Sequence, residues 1–410
     1  MRVLLFSYNV HTEATSGAAR SVRTMVEWLA ADGHACHVLS TAVFEASPAG
    51  TSLVGHLAGL GVVPCLRHVL GPCPVYDYAV AGVAVTTVGT STYPPATDPR
   101  ETAQYLACFT DLLDLFRPDR VLTYGGHPVL QDALRAARAR GIATIVTLRG
   151  YGYEDPGWFR HADAVLTCSA FLSAHYAGRI GLSSTALPTP MVAGDVLASE
   201  TNRRFVTFVH PAPHKGVALF ARLAAMLTEA RAEIPLLVVE SRMTTASPTE
   251  TPIIDFARQP QIRVSPPLPR PRDIFALTRI LLVPSLFAEP SGRVAAEAVH
   301  NGIPALVSDR GGLAETVAEG GIVLPVPAWM AAGETRLPAA AEIRPWFDAV
   351  VSLWDNPAYY ASVSAAARAV AERMYDDARL RARYRDFFAG VRPGRADMSI
   401  PLPNPARNAL

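Results

Sequence analysis

The sequence predicts an α/β protein built from two doubly wound, Rossmann-like domains. Short apolar runs alternate with helical segments along almost the whole chain, the pattern of parallel strand–helix–strand units. The 410 residues exceed what one ordinary core holds. A weakly patterned stretch after Pro188, residues 189–204, separates two such sets and reads as an interdomain linker.

The first set spans residues 1–190. Its strand-like runs are VLLFSY (3–8), HVLST (37–41), RVLTY (120–124), ATIVTL (143–148) and AVLTCS (164–169). Helical patterns fill the gaps, as in ARSVRTMVEWLAADGH (19–34) and VLQDALRAARARGI (129–142). The second set, 205–385, has runs at FVTFVH (205–210), LLVVES (236–241), IRVSP (262–266), ILLVPS (280–285) and PALVSD (304–309). Its helices are expected over 216–231, over 271–279 and after Glu289, and 343–390 reads as strongly helical with Trp346, Phe347, Trp354 and Tyr360 as core anchors. The tail 398–410 holds three prolines without periodicity and is expected to be mobile. Two doubly wound sheets present the loops at their strand carboxyl ends to a ligand, so a binding cleft between the domains is expected.

Composition removes several classes of function. Half of the residues are hydrophobic and 18% charged, as in a globular protein. The net charge of +1, with scattered basic residues, gives no footprint for nucleic acid. The cysteines (Cys36, Cys65, Cys73, Cys108, Cys168) form no C-x-x-C pair and read as reduced and structural, consistent with cytoplasm. MRVLLFSYNV is too short an apolar run for a signal peptide and reads as a first buried strand. No uncharged apolar stretch approaches the roughly 20 residues of a membrane helix, which leaves only peripheral membrane contact open.

The most informative stretch is LLVPSLFAEPSGRVAAEAVHNGIPALVSDRGGLAET (281–316). An apolar strand enters a loop carrying Glu289, Ser291 and Gly292 open a helix, and Glu297 lies on it. Asn301-Gly302 closes that helix, and the next strand ends in Gly311-Gly312. One carboxylate thus stands at a strand end and another on the next helix, with a helix N-terminus between them. Free backbone N–H groups there attract an anion, typically phosphate. Two carboxylates around an anion hole suit a ligand that is part phosphate and part polyol, such as a nucleotide sugar.

This stretch resembles the donor-site signature of family 4 glycosyltransferases, which have the two-domain GT-B fold. Their usual E-G-F-G appears here as Glu289-Pro290-Ser291-Gly292, followed by Glu297, and NGIPALVSDRGGLAE continues the match. The resemblance implies that Glu289 contacts the donor sugar and Glu297 the ribose hydroxyls, each carboxylate accepting from a vicinal diol. It implies that Ser291, Gly292 and Arg293 receive the diphosphate, although Pro290 lacks an N–H and shrinks that hole. Lys215 in HPAPHKG (210–216) would hold the diphosphate as a point charge. Many relatives have an Arg where this chain has His210, which brings less charge. Arg242 or Arg293 is a candidate to replace it. Backbone near Ser265 to Leu268 would meet the base.

In the first domain Gly17, in ATSGAAR, stands where relatives turn on Gly-Gly and approach the donor phosphates. Tyr124-Gly125-Gly126-His127 and Arg149-Gly150-Tyr151 follow strands and are expected to face the cleft. His127 and Arg149 join Glu289 and Lys215 as candidate catalytic groups, polarising the acceptor or steadying the leaving diphosphate. His161, Asp163 and Ser169 read as structural. Tyr76, Tyr78, Tyr93, Pro94 and Pro95 are candidates to frame a small polar acceptor.

No H-E-x-x-H, P-loop, G-x-S-x-G or D-x-D motif occurs, so no essential metal is expected. The reading is a retaining glycosyltransferase with a UDP- or GDP-type sugar donor as co-substrate and a small natural-product or lipid acceptor. A second possibility is a non-transferase enzyme of the same fold, an epimerase or phosphorylase. A third is a weakly active subunit that binds sugar nucleotides.

Overall fold

The structure, a computed structural model, describes residues 1–13, 16–44, 51–67, 71–90, 98–199, 201–245, 256, 259–268 and 270–394. The tail 398–410 and Tyr93, Pro94 and Pro95 lie outside them. The chain divides into two compact units. The first comprises Met1–Cys168, Ser173–Leu187 and the chain from Arg381 onward, and the second Ser169–Leu172 and Pro188–Leu380.

The first unit is built on one sheet. Its strands are β1 (Arg2–Phe6), β2 (Ala35–Thr41), β3 (Cys65–Arg67), β4 (Val75–Val80), β5 (Val83–Val88), β6 (Arg120–Thr123), β7 (Ala143–Leu148), β8 (Ala164–Thr167) and β9 (Thr185–Ala186). Their order is β3-β4-β5-β2-β1-β6-β7-β8-β9. From β5 to β9 all neighbours pair in parallel, and the strand order reverses beside β1, as in a doubly wound sheet. β3 and β4 add an antiparallel margin that the apolar runs did not announce. The reason is visible in β4, VYDYAV, where only Val75 and Tyr78 are buried and Asp77 interrupts the apolar residues, so it forms no continuous apolar run.

The second unit holds β10 (Phe205–Val209), β11 (Leu236–Val239), β12 (Ile262–Ser265), β13 (Thr278–Val283), β14 (Ala305–Ser308) and β15 (Gly321–Leu324). The order is β12-β11-β10-β13-β14-β15, parallel throughout, again reversing beside the first strand. Helices bury both faces of this sheet. Phe208, Phe220, Trp346 and Val350 belong to one cluster, and Val283, Ala295, Val307 and Tyr375 to the other.

One expectation is redrawn and one is refined. The first part of the segment read as a linker, residues 189–196, packs into the second unit, where Met191 and Val196 are buried and Ala193–Val196 forms a helical turn. The helical stretch 343–390 is three helices, Arg344–Asp355, Pro357–Met374 and Asp377–Gly390. Asn356 breaks the first from the second by capping Tyr359 N, with Pro357 in the first turn, where its missing N–H costs nothing. No helix among the described residues is long and apolar enough to cross a membrane.

Candidate active site

In the second unit the loops after β10 and β13 converge on one ion pair. Lys215 Nζ stands 2.6 Å from Glu289 Oε1, and Ser285 Oγ donates to the same oxygen at 2.6 Å. Glu289 is 6% exposed, so its charge depends on these two partners. Lys215 Nζ also lies 4.8 Å from the centre of the Phe287 ring, whose face favours a cation.

Backbone geometry fixes these groups. Gly216 has φ +85°, and a Cβ there would meet the Pro284 carbonyl oxygen at 2.0 Å, so only glycine lets the Lys215 loop lie on the end of β13. Gly311 has φ +71° and bridges to Glu289, and a Cβ would stand 2.4 Å from the Glu289 backbone. Gly312 N–H donates to the Glu289 carbonyl at 2.7 Å. The strand end after β14 therefore holds the glutamate through main chain alone.

The helix Arg293–His300 begins beside this pair. Gly292 is its N-cap, at φ +87°, and no side chain caps it. That open end is where an anion is favoured. Glu297, 4% exposed, accepts from Arg293 Nε at 2.9 Å. Arg293 Nη1 also donates to the Pro190 carbonyl at 3.2 Å. The Arg293 charge is thus engaged along the helix. Ser291 Oγ is 3.2 Å from Thr189 Oγ1. Pro290 offers its carbonyl to Ser169 Oγ and packs against Gly312.

His210 follows β10 in the left-handed region, φ +66°, which His adopts more readily than most residues. Burial, then the charges of Lys215 and Arg242, push its pKa down to about 4, so the ring is neutral at pH 7. His214, next to it at 5.7 Å between ring centres, is shifted down by the same burial and by Lys215. Arg242 is exposed but near enough for His210 to feel its charge. Leu268 is half-buried against Phe205, Leu237 and Val239.

The candidates of the first unit follow three neighbouring strands, β1, β6 and β7. Gly17 is the first residue of the helix Gly17–Ala31, capped by Ser16, whose side chain accepts from Ala19 N. His127 stacks on Tyr8, with ring centres 3.6 Å apart and planes 7° from parallel. Val129 N–H donates to His127 Nδ1 at 3.3 Å, which leaves the ring proton of a neutral imidazole on Nε2. Burial lowers the His127 pKa and favours that neutral form. Arg149 turns into the unit, its Nη2 3.5 Å from Met25 Sδ and its side chain beside Tyr384. Its Nε and Nη1 are buried without a hydrogen-bond partner. Asp163, by contrast, is a structural hub, ion-paired to Arg138 at 2.9 Å and accepting from Thr144 N and Gly394 N.

Four contributors were not singled out from sequence: Ser285, Phe287, His214 and Tyr8. Ser285 and Phe287 lie inside the 281–316 stretch, and the aromatic next to the loop carboxylate was a signal available there. Among the described residues no group of three or more His, Cys, Asp or Glu could hold a metal ion.

Both halves of the chain match known families. Residues 15–190 match the family described as Glycosyltransferase Family 4, and residues 195–335 the family described as Glycosyl transferases group 1. No curated protein matches in sequence. Among solved structures, the chain is similar to a glycosyltransferase from Rickettsia africae ESF-5, at 13% identity and TM-score 0.66, covering 94% of this chain and 97% of that one. It is also similar to sucrose-phosphate synthase from Thermosynechococcus elongatus, at 15% identity and TM-score 0.63, covering 95% and 99%. A third is Anabaena HepE in complex with UDP-glucose, at 14% identity and TM-score 0.64, covering 95% and 100%.

Proposed function

The chain belongs to the family 4-like glycosyltransferases of GT-B fold, and from that premise we propose that it transfers a hexosyl group from a UDP- or GDP-type sugar donor to a small natural-product or lipid acceptor, with retention of anomeric configuration and without a metal ion. The donor belongs to the second unit and the acceptor to the first. Anabaena HepE, similar in fold, is described with UDP-glucose, which is in keeping with this donor class. The compartment proposed is the cytoplasm.

The observation that carries the reading is the Lys215–Glu289 pair beside the open helix end at Gly292. Without a donor, the two charges satisfy each other. A sugar diphosphate brings a better partner for each: phosphate oxygens for Lys215, and sugar hydroxyls for Glu289. Glu297 accepts from the ribose diol, while Arg293 holds that carboxylate in place. Neutral His210 adds a hydrogen bond to the diphosphate rather than a charge, so Lys215, the helix N-terminus and Arg242 carry the electrostatic stabilisation of the leaving group. His127, with its proton on Nε2, donates to a sugar or acceptor oxygen. Arg149 tilts the local potential of the first unit in favour of an anion. Departure of the diphosphate is assisted by these fixed charges, and its own oxygen takes the acceptor proton on the same face.

A thermal-shift panel of UDP, GDP, ADP and dTDP, repeated with Lys215→Ala and Glu297→Ala, tests this. One nucleotide should raise the melting temperature, and both substitutions should remove the effect. If no nucleotide stabilises the protein, the transferase reading of this site fails.

A further inference from the structure

At the opposite end of the second sheet lies a cluster of positive charge that the proposed transfer does not use. Arg203 precedes β10, Arg279 is the second residue of β13, and Tyr360 and Arg368 stand on the helix Pro357–Met374. These are the amino-terminal ends of the strands whose carboxyl ends carry Lys215 and Glu289. β10 is five residues long, which separates the two places by about 16 Å at ~3.3 Å per residue.

Arg279 is held between two rings. Its guanidinium lies 5.1 Å from the centre of Trp354 and 4.5 Å from the centre of Tyr360. The Tyr360 hydroxyl donates to the Arg279 carbonyl at 3.0 Å, which fixes the ring. Stacking by its faces satisfies a guanidinium plane but leaves the N–H groups at its edge to find acceptors. Arg203 faces the same hydroxyl, and all three arginines act electrostatically on it. Arg368 lies over Gly302, where a Cβ would come within 2.7 Å of its Nη1.

Among the described residues no carboxylate forms an ion pair with Arg203, Arg279 or Arg368. The nearby Asp355 is already committed to Arg231 at 2.6 Å. The Nε atoms of Arg203 and Arg279 are both buried without a hydrogen-bond partner. Burial and the neighbouring Arg368 charge work against the charged form of Arg203. Neighbouring guanidinium groups, two of whose Nε–H groups are buried without an acceptor, are costly unless an anion balances them, and arginine forks match phosphate oxygens in geometry.

We propose that Arg203, Arg279 and Arg368 form a second anion site on the donor-binding unit, which takes the phosphate group of a phosphorylated small molecule and is separate from the Lys215 site. Tyr360 and Trp354 are its rigid wall. The exposed Arg368 closes it from the solvent side.

Inorganic phosphate, titrated against sodium chloride at equal ionic strength, tests the site by thermal shift. Phosphate should stabilise Lys215→Ala, which removes the cation of the donor site, and the arginine substitutions are made in that background. Arg368→Gln, an exposed change on a helix surface, should weaken the effect about tenfold, the loss expected for one charge-assisted hydrogen-bonding partner. Arg203→Gln/Arg368→Gln should abolish it. A parallel arm uses co-sedimentation with phosphatidic acid vesicles. Binding in that arm alone, lost in Arg368→Gln, assigns the phosphate to a lipid headgroup. Equal stabilisation by chloride, or a phosphate response unchanged in Arg368→Gln with no vesicle binding, overturns the proposal.

Discussion

Lys215 Nζ and Glu289 Oε1 lie 2.6 Å apart, and through them the loop after β10 and the loop after β13 share one buried charge. Removing either partner leaves the other without its counter-charge. Lys215→Ala should destabilise the ligand-free protein by about 2 kcal/mol, because Ser285 alone cannot satisfy a buried carboxylate. Lys215→Ala/Glu289→Gln should recover part of that loss, with a coupling of about 1–3 kcal/mol in a urea-unfolding cycle. Strict additivity would show that the pair is not coupled.

Glu297 should govern nucleotide affinity more than stability. Glu297→Ala removes the acceptor proposed for two ribose hydroxyls and is expected to weaken nucleoside diphosphate binding by about 10- to 100-fold, roughly 1.4–2.8 kcal/mol. Calorimetric titration of UDP or GDP checks this, and a change below threefold would remove Glu297 from the ribose site.

Gly216→Ala should be among the most disruptive single changes in the second unit. Its φ of +85° and the 2.0 Å between an added Cβ and the Pro284 carbonyl oxygen leave no side-chain adjustment that relieves the clash. A loss of at least about 3 kcal/mol or failure to fold is expected. A soluble variant with an unchanged urea midpoint would contradict the described loop.

Stability should fall on mild acidification. His210, with its pKa near 4, and His11, near 3, are both depressed below the ordinary value of about 6.5, chiefly by burial. Between those values and 6.5 the unfolded chain binds more protons than the folded one, so stability rises with pH and is lost as pH falls from about 6.5 toward 4. His210→Asn keeps a residue tolerant of positive φ and removes one titrating ring. Its unfolding free energy should therefore depend less steeply on pH across that window than the wild type's, as followed by urea denaturation at successive pH values.

Transfer should survive chelation. The cations proposed to face the leaving diphosphate are Lys215 and Arg242, and EDTA should leave the initial rate within about twofold once a donor and acceptor are found. A rate abolished by EDTA and restored by a divalent cation would reverse the metal-independent reading.

The strands buried on both faces were legible because they are continuous apolar runs. ATIVTL spans β7 residue for residue, and FVTFVH and LLVVES give β10 and β11 to within two residues. β3, β4, β5, β9 and β15 were not read from the sequence: β3, β4 and β15 are largely exposed or half-exposed, β9 has two residues, and β5, VAVTTV, is interrupted by threonines. In the site, Glu289, Gly292 and Glu297 were readable from one contiguous stretch. Ser285 as a partner of Glu289, and Lys215 closing on it from 74 positions away, depend on how two loops meet. Arg149 was expected after β7 to face the cleft; the contacts of its side chain with Met25 and Tyr384 depend on packing that the strand run does not carry.

The Glu289 backbone is located by main-chain contacts from Gly311 and Gly312, while Lys215 and Ser285 hold its carboxylate. Its backbone keeps its address when side chains other than Lys215 and Ser285 change. Phe287 and Ser291 can therefore be varied in a library while the acidic group stays in register. That makes this loop a practical starting point for altering the proposed donor-sugar site, provided Lys215, Ser285 and the two glycines are left alone.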